Sequence, residues 1–226
     1  MSARRRPIVA IDGPVGAGKT TVARAVARAL GFRHVDTGAM YRSVAWAALS
    51  RGVDLSDEAA LTALARSLEI RLEDTPDGQR VWVDGRDVTE AIRDPAVSEA
   101  ASVVSTYPGV REAMVAAQRR LGADGGVVVE GRDIGTVVFP DAEVKVFLTA
   151  SVEERARRRY RELRARGVAI SLDEVRRAEE ERDRRDRTRS HSPLQPAPDA
   201  VVMDTTGVPV DEVVGSILAL CRRAVP

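Results

Sequence analysis

A glycine-rich loop near the start of this chain limits its possible folds more than any other stretch. It follows the apolar run Ile8–Ile11 and has the spacing Gly-x4-Gly-Lys-Thr, with Gly13, Gly18, Lys19 and Thr20 in register. An apolar run without alternation is typical of a strand that is buried on both faces of a parallel sheet. Because helical periodicity begins directly after the loop, the sequence predicts a strand, a phosphate-binding loop and a helix in succession.

Each part of this glycine loop, Gly13–Thr21, suits phosphate for a physical reason. Glycines let the backbone approach a ligand closely, so that successive N–H groups can point at phosphate oxygens. The positive end of the following helix faces the same anion. Lys19, one of only two lysines in the chain, supplies a compact ammonium group for the oxygens of a nucleoside triphosphate. A glycine-rich turn that binds nothing is the alternative, and the strand–loop–helix context disfavours it. The predicted donor-nucleotide residues are Gly13, Pro14, Val15, Gly16, Ala17, Gly18, Lys19, Thr20 and Thr21.

The composition limits the class of protein further. A chain of 226 residues with 44% hydrophobic content can form one sizeable α/β core. Its net charge of +1 creates no general attraction to nucleic acid or to a membrane. A single cysteine and two histidines exclude an internal disulfide and a structural zinc site. We therefore expect a soluble, cytoplasmic protein without a leader peptide, a membrane span or a nucleic-acid partner.

Short apolar strands alternate with helices along most of the chain, which predicts an α/β fold with a five-stranded parallel sheet covered by helices on both faces. Between about 56 and 100 the pattern changes. Alternating apolar residues with turns at Asp77–Gly78 and Asp84–Gly85 predict a three-stranded antiparallel sheet. We therefore predict a single domain, 1–226, with an inserted lobe at 56–100. The five parallel strands are expected at 8–11, 33–36, 127–129, 144–148 and 200–203.

The carboxyl ends of parallel strands share one edge of a sheet, and ligands bind outside that edge. The glycine loop, the segment 36–42 and the segment 130–133 should therefore converge there. Arg42 and Arg132 are the candidates for holding an anion that faces the triphosphate. In a chain that is 31% charged, a solvated surface arginine is the alternative for either of them, and their common position after strands favours binding.

The segment 151–189 contains fourteen arginines and ten acidic residues. Gly167 separates two predicted helices, and we interpret 151–167 as a mobile lid whose arginines clamp phosphates. A nucleic-acid patch is the competing interpretation, but Tyr160 is the only aromatic residue of the segment and the acidic content is high. The predicted lid arginines are Arg155, Arg158, Arg159 and Arg166. On the second helix, Arg182, Asp186 and Arg189 share one face and could act on a single ligand.

Four segments together strongly resemble bacterial cytidylate kinases: Ile11–Lys19, Asp36–Arg42, Gly131–Pro140 and Arg182–Arg189. The glycine loop alone is generic, whereas the run Gly-Arg-Asp-x-Gly-Thr-Val-Val-Phe-Pro is specific. The resemblance covers essentially the whole chain, including the antiparallel lobe. It implies a P-loop nucleoside monophosphate kinase that converts ATP and CMP or dCMP into ADP and CDP or dCDP with Mg²⁺.

The resemblance also implies roles for individual residues. Lys19 would bridge the β- and γ-phosphates, Thr20 would face Mg²⁺, and Arg42 and Arg132 would hold the acceptor phosphate. Lys19, Arg132 and Asp133 would form the catalytic set. The base would be surrounded by Thr37, Arg111, Asp133 and Arg189, the sugar by Ser102, Arg182 and Asp186, and the donor nucleotide by the glycine loop with Arg155, Arg158 and Arg159.

Other functions remain open at this point. A thymidylate- or UMP-type kinase is the nearest enzymatic alternative, and thymidylate and adenylate kinases lack features of the segments named above. A nucleotide-gated switch or binding module is the non-catalytic alternative. A GTPase would need an Asn/Thr-Lys-x-Asp motif, and neither Lys19 nor Lys145 lies in one. We expect a monomer that acts on small molecules.

Overall fold

The computed structural model describes residues 6–76, 78–189 and 192–224. It contains two compact units, one formed by 1–34 with 124–226 and the other by 35–123. Asp77, which belongs to one of the predicted turns, lies outside the described residues.

The helices and strands follow the predicted order. The chain begins with β1 (Ile8–Asp12), α1 (Lys19–Leu30), β2 (Arg33–Asp36), α2 (Thr37–Ser50) and α3 (Glu58–Ser67). It continues with β3 (Ile70–Thr75), β4 (Gly78–Val83), β5 (Arg86–Asp87), a 3₁₀ turn (Ala91–Arg93), α4 (Pro95–Val104) and α5 (Pro108–Leu121). It ends with β6 (Val127–Gly131), a π-helical turn (Ile134–Val138), β7 (Val144–Thr149), α6 (Val152–Ala165), α7 (Leu172–Thr188), β8 (Val201–Asp204) and α8 (Val210–Ala224).

A five-stranded parallel sheet with the strand order β2-β6-β1-β7-β8 confirms the predicted fold class. The central strand β1 pairs in parallel with both neighbours, Ile8 opposite Val127 and Val9 opposite Val144. Val9 and Val128 are completely buried, as expected for strands covered on both faces. The glycine loop therefore follows the central strand of the sheet, and the segment containing Arg132 follows a strand beside it.

The core of the first unit lies between this sheet and its helices. Val22 and Val26 of α1 and Ile217 of α8 are buried in one apolar cluster with β1, β6 and β7. Gly31 ends α1 in the left-handed conformation, with φ of 63°, where glycine carries no Cβ penalty. This packing fixes the direction of α1, whose first turn forms part of the glycine loop.

The second unit contains the predicted three-stranded antiparallel sheet, in the order β3-β4-β5. Helices α2 to α5 share one apolar core with this sheet, centred on Leu61, Val81 and Met114. The predicted lobe, 56–100, lies inside this unit. The unit extends further in sequence at both ends of the lobe, because α2 and α5 pack into the same core.

Helices α6 and α7 pack on each other through a small apolar contact that includes Ala156, Leu163 and Val175. Most other side chains along the pair are charged, so ion pairs are expected to fix their relative position. No helix among the described residues combines the length and the apolar character that a membrane crossing requires.

Candidate active site

Glycine is required in the loop after β1 for two separate reasons. Gly13, Gly16 and Gly18 have φ of 148°, 74° and 86°, a region that residues with a side chain rarely adopt. A Cβ on Gly13 would also overlap the carbonyl oxygen of Leu148 in β7. The loop therefore depends on glycine both for its backbone path and for its closeness to the neighbouring strand.

Helix α1 begins directly at the end of this loop. Gly18 is its N-cap residue and supplies no side-chain cap, and the first turn contains no acidic residue. The first N–H groups of α1 are thus left for an external anion. Lys19, only 8% exposed, donates from Nζ to the carbonyl oxygen of Pro14 at 2.6 Å. Burial, together with the charge of Arg132, lowers the pKa of Lys19 to about 7.

The hydroxyl of Thr20 is held by a buried carboxylate. Thr20 Oγ1 donates to Glu130 Oε2 at 3.0 Å, and the other carboxylate oxygen lies 2.9 Å from His34 Nε2. Glu130 is 3% exposed on β6 and was absent from the predicted site residues. The signal that could have identified it is a carboxylate within an otherwise apolar strand. It sets the orientation of the Thr20 side chain.

Asp12, at the end of β1, is a second buried carboxylate that was not predicted as a site residue. Its two oxygens accept from the backbone N–H groups of Ile134 and Gly135, both at 2.8 Å. Burial raises the pKa of Asp12 to about 6 even though both hydrogen bonds act in the opposite direction. Asp12 thereby ties the central strand to the π-helical turn that follows Arg132.

Arg132 and Asp133 occupy the loop between β6 and this turn. Arg132 Nε donates to Asp186 Oδ2 of α7 at 2.9 Å. Asp133 is 5% exposed, and its carbonyl oxygen accepts from Val137 N and so starts the turn. Burial alone would raise the pKa of Asp186, but Arg132 and its other cationic neighbours hold it below the ordinary value. Two predicted site residues from distant parts of the sequence thus form an ion pair.

The buried face of α7 contains only Asp186 of the three residues predicted to share one face, Arg182, Asp186 and Arg189. It consists of Glu179, Asp183 and Asp186 together with Val175, whereas Arg182 is half-buried. Arg189 follows the helix, and its Nε donates to the carbonyl oxygen of Ser192 at 2.6 Å. Glu179 and Asp183 could not be recognised from the sequence, because a helix of mixed charge is usually solvated. Their burial is explained by an arginine from another helix, Arg155.

The predicted lid arginines contact protein groups in this structure. Arg155 is 2% exposed, and its guanidinium binds the Asp183 carboxylate at 3.2 and 2.7 Å. Arg158 donates to the backbone and side chain of Thr205 at 2.7 and 3.1 Å. Arg159 pairs with Glu162 at 2.8 Å, as does Arg166 at 3.3 Å. Arg155 was predicted to bind phosphate, whereas in this structure its guanidinium donates to carboxylate and carbonyl groups of the protein.

The second unit carries the other predicted acceptor residues. Asp36 caps α2 by accepting from Ala39 N at 2.9 Å, and its other oxygen accepts from Arg42 Nη2 at 2.8 Å. Thr37, the first residue of α2, is 4% exposed. This arrangement fixes Arg42 on the first turns of α2.

Helix α2 packs against α4 and contacts α5, which carry Ser102 and Arg111. Arg111 is 4% exposed, donates to the carbonyl oxygen of Ser105 at 3.2 Å and lies 5.7 Å from the Tyr41 ring centre. Ser102 Oγ is buried and has no hydrogen-bond partner within the described ranges. A buried hydroxyl in this state suits a polar group of a ligand.

The parallel sheet, the glycine loop after its central strand and the lysine and hydroxyl that begin α1 define the class of P-loop phosphotransferases. The sequence profile of the family described as "Cytidylate kinase" matches residues 9–223. The chain therefore belongs to the cytidylate kinase family, which confirms the resemblance found in the sequence.

Individual relatives agree with this assignment. The cytidylate kinase of Desulfitobacterium hafniense is 54% identical over 94% of this chain and 91% of that protein. The bifunctional pantoate ligase/cytidylate kinase of Synechococcus sp. strain JA-3-3Ab is 53% identical over 97% of this chain. The chain spans only 41% of the length of that bifunctional relative.

Among solved structures, an uncharacterised protein from Eubacterium ventriosum has a TM-score of 0.53 and 10% sequence identity. The match covers 96% of this chain and 99% of that protein. At this identity the similarity shows a shared fold and nothing about a shared reaction.

Proposed function

We propose that this chain transfers the γ-phosphoryl group of ATP to CMP or dCMP and so forms ADP with CDP or dCDP. The observation that carries the proposal is the match of residues 9–223 to the cytidylate kinase family. The site is consistent with it, because Gly13–Thr21 and Arg132 follow the adjacent strands β1 and β6 of one sheet. Relatives named cytidylate kinases, of nearly the same length, support the same substrate.

The donor phosphates bind in the glycine loop in this proposal. Backbone N–H groups of Gly13–Thr21 and the first turn of α1 donate to phosphate oxygens. Lys19 exchanges its hydrogen bond to Pro14 for the β- and γ-phosphates. The negative charge of the phosphates favours the ammonium form of Lys19, which opposes the effect of burial.

The oxygens beside the loop fit a magnesium ion. Mg²⁺ prefers oxygen ligands and is usually bound by one or two protein groups together with substrate phosphates. The hydroxyl of Thr20 and the carboxylate of Glu130 supply such oxygens 3.0 Å apart. Within the described ranges no cluster of three potential metal-binding side chains exists, so the nucleotide would complete the coordination. When bound, Mg²⁺ neutralises charge on the transferring phosphate.

In this proposal each residue that binds the acceptor nucleotide is held by the elements of its own unit. Arg132 and Arg42 bind the phosphate of CMP, and each is held in the free protein by a carboxylate, Asp186 and Asp36 respectively. Carboxylates thus orient the guanidinium groups before phosphate arrives. The base contacts Thr37, Arg111, Asp133 and Arg189, and the sugar contacts Ser102, Arg182 and Asp186.

Phosphoryl transfer of this kind requires positioning and charge stabilisation rather than a covalent intermediate with the protein. Lys19 and Arg132 stabilise charge on the oxygens of the group in transit, and Arg158 and Arg159 of α6 assist the binding of the donor nucleotide in this proposal. Helices α6 and α7 exclude water, so that the γ-phosphoryl group of ATP passes to CMP rather than to water and ADP is the leaving group.

Product analysis tests this function directly. The purified protein is incubated with ATP, Mg²⁺ and CMP, and the nucleotides are separated by anion-exchange chromatography. We expect ADP and CDP in equal amounts, and no ADP when CMP is omitted. ADP without CDP would identify an ATPase, and the absence of both products would favour a non-catalytic nucleotide-binding module.

A further inference from the structure

Carbonyl groups of the glycine loop accept hydrogen bonds from side chains of α6. Arg155 Nη1 donates to the carbonyl oxygen of Val15 at 3.2 Å. Arg158 Nη1 lies 3.5 Å from the carbonyl oxygen of the next residue, Gly16, in a longer contact of the same kind. Two consecutive peptide groups of the loop are therefore held by arginines that are about 140 residues away in sequence.

A hydrogen bond to a carbonyl also fixes the N–H group of the following residue. In a trans peptide the C=O of one residue and the N–H of the next point to opposite sides of the chain. No cis peptide occurs among the described residues. Since Arg155 holds the carbonyl of Val15, it directs the N–H of Gly16 away from α6. This N–H is one of the donors that the loop offers to phosphate.

Arg155 is rigid enough to fix a peptide group. Its Nε donates to the carbonyl oxygen of Ala150 at 3.0 Å, and both terminal nitrogens bind Asp183. The contact also explains why position 16 lacks a side chain, because a Cβ on Gly16 would lie 2.8 Å from the Cβ of Arg155. A buried guanidinium that makes four hydrogen bonds acts on its neighbours through fixed geometry.

We propose that Arg155 is a positioning residue of the glycine loop, which orients the Gly16 N–H for ATP phosphate without contacting the phosphate itself. Arg158, held by Thr205, does the same for the N–H of Ala17 through its longer contact. Donors that are oriented before binding need no reorganisation when the phosphate arrives. The inference rests on the proposed function in one respect, since it takes ATP as the ligand of the loop.

Asp183→Asn distinguishes positioning from direct contact, because the two roles predict opposite effects. The substitution weakens the hold on Arg155 but keeps its guanidinium. As a positioning residue, a loosened Arg155 orients Gly16 poorly, so KM for ATP rises by about tenfold to a hundredfold, the range of one hydrogen bond to a charged group. As a direct phosphate ligand, a released Arg155 would leave KM for ATP unchanged or lower it. KM for CMP is measured in the same variant. If the effect is confined to the glycine loop, KM for CMP should change less than threefold, which is roughly the error of additivity.

A second variant separates positioning from a merely structural ion pair. Arg155→Met combined with Asp183→Asn removes the arginine together with the carboxylate that it binds, and Glu179, 3.9 Å from Arg155 Nη1, keeps the positive charges of Arg182 and Arg159 nearby. We expect its melting temperature to recover relative to Arg155→Met alone while KM for ATP stays raised. Arg157→Met, an exposed arginine of the same helix, is the matched control and should leave both quantities unchanged. A wild-type KM for ATP in the double variant would overturn the proposal.

The nucleotide-free protein supplies a readout that does not depend on the reaction. The carbonyl ¹³C resonance of Val15 reports its hydrogen bond, so the double variant should shift it and should also shift the amide resonance of Gly16, whereas Arg157→Met should shift neither. Unchanged resonances would overturn the positioning role even in an active enzyme. A wild-type protein that fails to phosphorylate CMP would instead overturn the proposed function and leave this measurement valid.

Discussion

Lys19 is the residue on which phosphoryl transfer depends most directly in this account. Its ammonium lies at the start of α1 and binds Pro14 in the free protein. Lys19→Ala removes charge from the transition state rather than volume from the core, so we expect kcat to fall on the order of a hundredfold or more with little loss of stability. Steady-state kinetics and thermal unfolding test this pair of outcomes.

Lys145, the other lysine of the chain, provides the comparison. Its Nζ lies 2.7 Å from Asp199 Oδ2, and this ion pair is not part of the glycine loop. Lys145→Ala should lower stability and leave kcat near the wild-type value. Near-normal kcat in folded Lys19→Ala would contradict the role assigned to this residue.

Asp133 is expected to select cytosine over uracil. Cytosine presents an N4 donor beside the N3 acceptor, whereas uracil presents an O4 acceptor beside an N3–H donor. A carboxylate accepts a hydrogen bond from the N4 amino group of cytosine, whereas it repels the O4 oxygen of uracil. Asp133→Asn should therefore reduce kcat/KM for CMP far more than for UMP, and their ratio should narrow. Equal losses for both substrates would assign base selection to Thr37, Arg111 or Arg189 instead.

Asp12 predicts a pH dependence of stability with a defined sign. Its pKa is raised from 3.8 to about 6 in the folded protein, so the folded state binds this proton more tightly than the unfolded state does. The stabilisation is fully present below the unfolded pKa and is lost as the pH rises through about 6. The shift corresponds to about 3 kcal/mol in total, of which about 2 kcal/mol falls between about pH 4.5 and about pH 7.5.

Asp12→Asn should abolish this trend, at the cost of one backbone hydrogen bond. Urea unfolding of both proteins at the two pH values gives the difference in their free energies of unfolding. Asp54→Asn is a suitable control, because Ser56 lowers the pKa of this exposed carboxyl and the expected trend has the opposite sign. A pH-independent difference between wild type and Asp12→Asn would contradict the burial argument.

At the scale of elements, the glycine loop and the strand β7 are packed so closely that each limits the side chains of the other. Gly13→Ala would place a Cβ against the backbone of Leu148, which cannot move without disrupting β7. We expect a loss of stability several times that of Gly31→Ala, because φ of 63° at Gly31 lies in the left-handed region that alanine adopts at modest cost and there is open space around it. The Gly31 variant should lose about 1 kcal/mol. Similar melting temperatures for the two variants would contradict the requirement for glycine at position 13, whether it arises from its φ of 148° or from its closeness to β7.

The order of elements could be predicted from the sequence because each has a local signal. The strand–loop–helix succession at Ile8–Leu30, the alternation in β3 and β4 and the serine caps of α6 and α7 are all readable within a few residues. The parallel sheet follows from that order. The prediction of a parallel sheet therefore needed no knowledge of contacts between residues that are distant in the sequence.

The ion pairs inside the first unit could not be predicted in the same way. Arg155 was predicted as a phosphate ligand, but its partners are Val15 and Asp183, which are distant in sequence. Asp12 ends the apolar strand β1 and Glu130 lies near the end of the apolar strand β6, and a buried carboxylate at such a position is a local signal that could have identified them. The lid boundaries, 151–167, remain a prediction.

At the scale of the whole molecule, the residues assigned to the proposed function are distributed over the two units, and each unit holds its own residues in place. The glycine loop, Arg132, Asp133 and Asp186 belong to the first unit, whereas Arg42 belongs to the second. Selectivity among nucleoside monophosphates therefore tests both units at once, which no single substitution does.

The most direct test of the central claim is the rate of ADP release with ATP and each nucleoside monophosphate in turn. This account predicts that kcat/KM for CMP and dCMP exceeds that for UMP, dTMP, AMP and GMP by a hundredfold or more, because two or more mismatched buried polar groups cost about 1–3 kcal/mol each. Equal values across the panel, or a maximum with dTMP or AMP, would contradict it.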